Sequence, residues 1–210
     1  MNRLIVVLAA IGILARIASA VPITYVETTT ATGTLGGTAF TSASVTVTLV
    51  GDTSNITSGP SPFGAYLINP GLATIKIGAL PIATFTDLVE IIGSDNQATP
   101  SIFSMPFVLI ATLDNPAGTS ITGVVDEYGD PAFLGYGLTA LGPISATGSS
   151  ASGAGGPHNT SSGVLLFSSD NSPQPATFTA TVGTPEPTSV ILLGTGLLAL
   201  VGLSLRRKLA

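Results

Sequence analysis

The 210-residue sequence contains no cysteine and no tryptophan, and only 8% of its residues are charged. Without cysteine, the chain has neither a disulfide nor a thiolate ligand for a structural zinc site. Lys and Arg number six against eleven Asp and Glu, which gives a formal net charge of -5. Binding to nucleic acid requires a basic face that neutralises phosphates, and six basic residues do not supply one. The composition therefore argues against a disulfide scaffold, a zinc–thiolate protein and a nucleic-acid-binding protein.

The N-terminus has the three parts of a secretory signal peptide. Arg3 precedes an apolar run over residues 4–14, and Ala18 and Ala20 form an A-x-A site with small side chains. The apolar run is shorter than the roughly 20 residues that span a bilayer, which disfavours a permanent membrane helix. We therefore predict a signal peptide over residues 1–20, export through the Sec translocon, and cleavage by signal peptidase between Ala20 and Val21.

The C-terminus contains a second hydrophobic segment. Residues 188–205 carry no charge, and Arg206, Arg207 and Lys208 follow directly. As a helix rising about 1.5 Å per residue, this segment is about 27 Å long, which is just enough to cross the hydrocarbon of a bilayer. The basic cluster favours a cytoplasmic C-terminus. We therefore predict a transmembrane helix that holds the exported chain in the membrane before processing.

Pro185, Glu186 and Pro187 precede the hydrophobic segment. Proline on both sides of Glu186 keeps this segment extended, a conformation that a processing enzyme can bind. A Pro-Glu-Pro motif, a hydrophobic helix and a terminal basic cluster together resemble the PEP-CTERM sorting signal, here over residues 184–210. Thr184 stands where that family often has Val. The resemblance implies processing by an exosortase, a membrane transpeptidase-like enzyme of Gram-negative bacteria that make exopolysaccharide. The alternative is an ordinary C-terminal anchor behind a proline-rich stalk.

The residues between the two ends, 21–183, are long enough for one domain with its own core. Apolar and polar residues alternate in Val45–Leu49, Ala73–Ile77 and Thr177–Val182, as in half-buried antiparallel strands. Many short runs of this kind, separated by turn residues, predict an all-β, antiparallel β-sandwich or jelly-roll-like domain. The other predicted strands are Ile23–Glu27, Gly64–Ile68, Ile82–Thr86, Leu88–Ile92, Phe107–Thr112, Ile121–Val125, Phe133–Leu138 and Val164–Ser168.

Gly, Pro, Ser and Asn mark the expected turns and loops of this domain. Asn69-Pro70-Gly71 predicts a turn, and the stretch 142–163, rich in Gly, Ser and Thr, predicts a long flexible loop. His158, the single histidine, falls in that stretch, so we expect a solvated side chain. A mobile loop does not hold an imidazole between a nucleophile and a carboxylate, which argues against a catalytic role.

Asp126, Glu127 and Asp130 are the acidic residues that most resemble a site. Two of these carboxyl groups across a sugar cleft would suit a glycoside hydrolase, although no Trp and only four Tyr are available to stack sugars. The same three residues are candidate Ca²⁺ ligands, although no Asp-x-Asp-x-Asp-Gly spacing occurs. Acidic residues that merely solvate a turn are the simpler interpretation. We therefore predict no catalytic residue, no resident metal and no cofactor.

These observations favour an exported, exosortase-sorted protein of the cell surface or exopolysaccharide matrix, with a non-catalytic structural or interaction role. A binding module for polysaccharide or protein is the alternative, because threonines on outward strand positions provide many hydroxyl groups. A secreted glycoside hydrolase is the third possibility. The sequence does not identify the ligand of the domain.

Overall fold

The computed structural model describes residues 21–61, 64–94, 106–113, 121–150, 156–168, 174–183 and 196. Residues Pro22–Gly183 form one compact unit that contains every described strand. All pairings between these strands are antiparallel, which confirms the predicted all-β, antiparallel fold class. The predicted signal peptide and transmembrane helix lie outside the described residues, apart from Gly196. Within the described part of the chain, no helix has the length and apolar character needed to cross a membrane.

The unit consists of twelve strands and two single-turn 3₁₀ helices. The strands are β1 (Pro22–Leu35), β2 (Thr38–Asp52), β3 (Thr57–Ser61), β4 (Gly64–Ile77), β5 (Ala83–Thr84), β6 (Leu88–Ser94), β7 (Phe107–Leu113), β8 (Ile121–Gly129), β9 (Leu141–Ser150), β10 (His158–Thr160), β11 (Gly163–Phe167) and β12 (Gln174–Val182). The 3₁₀ helices are Thr53–Asn55 and Pro131–Phe133.

β1 and β2 form a long antiparallel hairpin. Its turn is Gly36-Gly37, with φ angles of 56° and 82°, and Leu35 pairs with Thr38 across it. Two positive φ angles suit a tight two-residue hairpin whose twist matches the strands, and glycine adopts them without steric cost. Apolar side chains alternate with threonines along both strands, so one face of the hairpin is buried and the other meets solvent.

Eight strands form a nearly closed ring, in the order β1, β2, β4, β6, β7, β8, β9 and β12, with β12 pairing again with β1. The weakest junction lies between β8 and β9, where the recorded pairing is Tyr128 with Ser150. The strands therefore make one continuous sheet, whereas a sandwich has two. The physical reason is that β1 and β4 are 14 residues long, so each pairs with several partners along its two edges.

The hairpin of β10 and β11 lies outside this ring of eight strands and connects β1 with the segment that contains β5. β11 pairs with the end of β1. On the far side of β10, Thr160 forms a bridge with Phe85, and the backbone N–H of Ser161 donates to the Thr84 carbonyl at 2.8 Å. This end of the molecule therefore continues from β1 through β11 and β10 to β5 and β4.

The side chains that face the inside of the ring form the main core, which includes Ile23, Tyr25, Leu49, Ile110 and Phe178. A second, smaller apolar cluster lies on the opposite face of β6 and β7. It consists of Ile92, Phe107, Leu109 and Ala111. Every position of β7 is buried for this reason, which explains why its sequence is a continuous apolar run and does not alternate.

Three predictions about local structure are corrected. Asn69-Pro70-Gly71 lies inside β4, because the buried Asn69 side chain bonds the Tyr25 hydroxyl and this tertiary contact overrides the turn propensity. Phe133–Leu138 is not a strand: Asp130 caps the 3₁₀ helix that buries Phe133. The predicted flexible loop 142–163 contains most of β9 and all of β10, since neighbouring strands provide ladders for a Gly- and Ser-rich segment, while residues 151–155 lie outside the described residues.

Candidate functional site

The predicted sorting residues Pro185, Glu186, Pro187, Arg206, Arg207 and Lys208 lie outside the described residues, as do Ala18 and Ala20 at the predicted cleavage site. The structure does describe the residues that follow the predicted signal peptide and those that precede the predicted sorting tail. Ile23 pairs with Val182, and the Gly183 N–H donates to the Pro22 carbonyl at 2.7 Å. Val21 directly precedes β1. The leader and the tail therefore attach to two neighbouring strand ends.

The structure does not bring Asp126, Glu127 and Asp130 together. Asp126 pairs with Ile110 and faces the inside of the ring, while Glu127 pairs with Leu109 on the opposite face, as successive strand residues do. Asp130 accepts a hydrogen bond from the Ala132 N–H at 2.8 Å as the cap of the 3₁₀ helix. Among the described residues, no group of three His, Asp or Glu side chains is placed to hold a metal ion.

Asp126 instead lies beside Glu27, a residue that the sequence reasoning missed. Both side chains are 1% exposed, and Glu27 comes from β1 on the other side of the interior. Burial, followed by the neighbouring Asp126 carboxyl group, raises the pKa of Glu27 well above its usual value. The interior therefore holds an acid that favours its neutral, protonated form.

Two further acids lie on the face that carries the smaller apolar cluster. Glu90 is 5% exposed and Glu127 is 8% exposed. Burial raises the pKa of each to about 7, because a carboxylate loses its hydration among apolar neighbours. The Oε1 atom of Glu127 is buried without a hydrogen-bond partner among the described groups. Both residues therefore change charge near neutral pH.

Tyr25 organises the polar part of the interior. Its hydroxyl group donates to the Leu138 carbonyl at 2.7 Å and accepts from Asn69 Nδ2 at 2.8 Å. Burial raises the pKa of Tyr25 to about 12. Its ring stacks on Phe178, with ring centroids 6.4 Å apart, and Phe178 also contacts Phe133. This network fixes the segment after the 3₁₀ helix against β1 and β4.

His158 is completely buried in β10, which corrects the prediction of a solvated loop residue. Its Nδ1 atom lies 3.0 Å from the Thr112 hydroxyl oxygen, and its ring meets the edges of Phe85 and Phe167 at centroid distances of 6.3 Å. Burial lowers the pKa of His158, while the charge of Asp87 and the backbone of Val124 act in the opposite direction. The ring is therefore part of the packing of the hairpin.

The outer face of β12, β1, β2 and β4 carries an array of threonines, which we call the threonine face. Cross-strand pairs place these residues in rows, such as Thr177–Thr28–Thr46 and Thr48–Thr74. The hydroxyl oxygens of Thr28 and Thr46 lie 3.3 Å apart. The array consists of Thr24, Thr28, Thr30, Thr46, Thr48, Thr74, Thr177, Thr179 and Thr181. All of them are exposed or half-buried, and Lys76 is the charged residue that pairs into the rows.

Strand spacing sets the size of the threonine face. Four strands about 4.8 Å apart and six residues along each strand give an area of about 14 by 20 Å. The face therefore offers hydroxyl and methyl groups in a regular pattern, with no carboxylate inside the rows named above. The alternation of threonine with apolar residues was visible in the sequence, but the alignment of four such strands was not.

Comparison with protein families identifies a PEP-CTERM protein-sorting motif at residues 183–208. This match begins where the described domain ends, at Gly183. It confirms the resemblance seen in the sequence and supports a PEP-CTERM protein that is exported and processed by an exosortase. No curated protein and no solved structure matches the chain.

Proposed function

We propose that this chain is a non-catalytic structural or interaction protein of the cell surface or exopolysaccharide matrix of a Gram-negative bacterium. The observation that carries the proposal is the sorting motif at residues 183–208, directly after the last strand. After export, signal peptidase removes residues 1–20, and the C-terminal segment holds the chain in the inner membrane until the exosortase acts. The domain then remains at the surface without its C-terminal helix.

The geometry of the acids favours a role without catalysis. Asp126 and Glu127 lie on opposite faces of β8, so the two groups do not flank a common substrate. The carboxyl groups that do lie together, those of Glu27 and Asp126, are 1% exposed, which leaves no room for a sugar between them. A glycoside hydrolase therefore has less support than a binding or structural role.

The test is the intact mass of the surface-exposed form in the native host. We expect the wild-type protein to lack its C-terminal basic cluster, and a Glu186→Ala variant to retain it because the enzyme binds the extended Pro-Glu-Pro segment. Glu90→Gln serves as a control, since it changes an acid inside the domain and leaves the motif intact. A surface form of the wild-type protein that still includes residues 205–210 would refute the proposal.

The threonine face supports a second candidate function, the binding of a neutral polysaccharide. Its uncharged hydroxyl groups suit hydrogen bonds to sugar hydroxyls, while the ten acidic residues of 21–183 repel polyanions. We expect a Thr28→Val/Thr46→Val/Thr48→Val variant to lose retention on purified neutral exopolysaccharide, because these changes remove hydroxyl groups and keep the side-chain shape. Thr139→Val, at an exposed turn residue outside the array, provides the control. Equal retention of both variants would exclude the threonine face as the binding surface.

A further inference from the structure

The hairpin of β10 and β11 is bonded to the rest of the domain along both of its edges. On one side, β11 pairs with three residues of β1, Gly33–Leu35. On the other side, Asn159 accepts a hydrogen bond from the Thr86 N–H at 2.9 Å through its carbonyl oxygen. The Asn159 backbone and side chain also donate to the Asp87 carboxylate at 2.7 and 3.0 Å. The Ser161 contact with Thr84 described above and a hydrogen bond from the Ser168 N–H to the Thr32 carbonyl at 2.9 Å complete this set. All of these contacts lie at the edges of the hairpin.

His158 provides the contact in the middle of the hairpin. The ring is enclosed by Phe85 beside β5 and Phe167 of β11, and Thr112 of β7 lies at hydrogen-bonding distance from its Nδ1 atom. Leu165 pairs directly with His158 across the hairpin and is also fully buried. The side chain therefore connects the hairpin to β7, across the interior of the domain.

The surroundings of the ring suit a neutral imidazole. Nε2 has no hydrogen-bond partner among the described groups. The charged residue acting on His158, among those described, is Asp87, and both of its carboxylate oxygens are engaged by Asn159. The other described groups around the ring are Thr112, the two phenyl rings and the Val124 backbone, whose hydrogen bond favours the protonated ring but is outweighed by burial. A proton added to the ring would place a charge among these groups without a carboxylate that contacts it directly.

We infer that His158 is a pH-dependent latch that holds the β10–β11 hairpin, residues 158–167, against β7 and β5. The neutral ring packs between the phenylalanines and bonds Thr112. In acid, the ring gains a proton and is more stable in water than in this apolar site, so the hairpin separates from the sheet. Separation exposes Phe85, Phe167 and Leu165.

The direction of the pH effect distinguishes this latch from unfolding of the whole domain. A lowered pKa of His158 means that its contribution is present above the ordinary histidine value of 6.5 and is lost as the pH falls through the folded value. The raised pKa values of Glu27, Glu90 and Glu127 act in the opposite direction and favour the folded domain in acid. Low pH should therefore loosen the hairpin, while the protonated carboxyl groups of Glu27, Glu90 and Glu127 stabilise the rest of the sheet.

Hydrogen exchange of backbone amides, corrected for intrinsic rates, tests the latch in the full chain. The informative amides are those of Ser161, which bonds Thr84, and Gly36, which bonds Val164 at 2.9 Å. We expect their protection to fall about tenfold between about pH 7.5 and about pH 5, while amides of β1 and β2 near Tyr25 keep theirs. His158→Gln, which retains a hydrogen-bonding group and cannot gain a proton, should remove this pH dependence.

Thr112→Val is the matched control, because it removes the hydrogen bond and leaves a ring that can still gain a proton. We expect weaker hairpin protection in this variant at both pH values, with the pH dependence retained. The inference is overturned if wild-type hairpin protection is equal at both values, or if His158→Gln keeps the wild-type pH dependence. If His158→Gln does not fold, the NMR titration of His158 in the wild-type protein decides: a pKa at or above 6.5 overturns the latch.

Discussion

Replacement of Glu127 by Gln should stabilise the protein at neutral and alkaline pH and leave it unchanged in acid. Burial raises the pKa of Glu127 from 4.5 to about 7. The folded state therefore holds a proton that the unfolded state releases between these values, and stability falls as the pH rises from about 4.5 to about 7. Gln has nearly the same shape as the protonated acid and does not titrate, so the variant lacks this loss.

The size of the effect follows from the same pKa change. At 1.36 kcal/mol per pH unit, a rise from 4.5 to about 7 corresponds to at most about 3.4 kcal/mol. Glu127 is 8% exposed, so solvent screens part of the charge, and we expect about 1.5 kcal/mol. For a domain of this size, about 1.5 kcal/mol corresponds to an increase of about 3–6 °C in Tm.

Thermal melting followed by circular dichroism at about pH 4 and about pH 8 measures the difference. The acidic condition is the internal control, because both proteins then carry an uncharged side chain at residue 127. We expect equal Tm values in acid and a higher Tm for Glu127→Gln at about pH 8. A Tm difference that does not depend on pH, or a more stable wild-type protein at about pH 8, would contradict the assigned cause.

Two further predictions concern the interior. Tyr25→Phe removes the hydroxyl that bonds Leu138 and Asn69, so the free energy of unfolding measured in urea should fall by about 1–3 kcal/mol. Tyr136→Phe is the control and should cost less, because its hydroxyl bonds the Thr139 carbonyl at 2.8 Å in an exposed position. Equal losses in the two variants would contradict the role given to the Tyr25 network. Phe178→Ala should lower the free energy of unfolding by about 3–5 kcal/mol, because it leaves a cavity among Tyr25, Tyr128 and Phe133. Leu72→Ala, at a position that is 79% exposed, should change it by less than about 0.5 kcal/mol. Similar effects of the two changes would refute the assigned core.

Much of the fold follows from local patterns that need no knowledge of tertiary structure. The alternation in Val45–Leu49 and Thr177–Val182 predicts strands, and β2 and β12 contain these residues. Closure of the sheet was not predictable, because it depends on two 14-residue strands that each pair with several partners. Local patterns also failed at Asn69-Pro70-Gly71, where a buried hydrogen bond to Tyr25 decides the conformation.

The candidate site residues also divide into those that a local sequence pattern predicts and those that only the fold brings together. The Pro-Glu-Pro motif and the basic cluster are contiguous in sequence, so their pattern was sufficient to predict the sorting motif that the family comparison confirms. The neighbourhood of Glu27 and Asp126 depends on a contact between residues 99 positions apart, which no spacing rule reveals. Inward alternation with Ile23 and Tyr25 was the one signal that Glu27 points into the core.

The shortage of basic residues explains why these buried acids remain without a cationic partner. Lys76 is the only Lys or Arg in residues 21–183, and it bonds the Leu80 carbonyl on its own side of the sheet. A buried carboxyl group without a cation is most easily kept neutral by a proton, which raises its pKa. Glu27, Glu90 and Glu127 therefore favour the fold in acid, while His158 favours an attached hairpin at neutral pH. An exported domain with this interior meets the pH of its surroundings directly, and the two groups of residues respond to that pH in opposite directions.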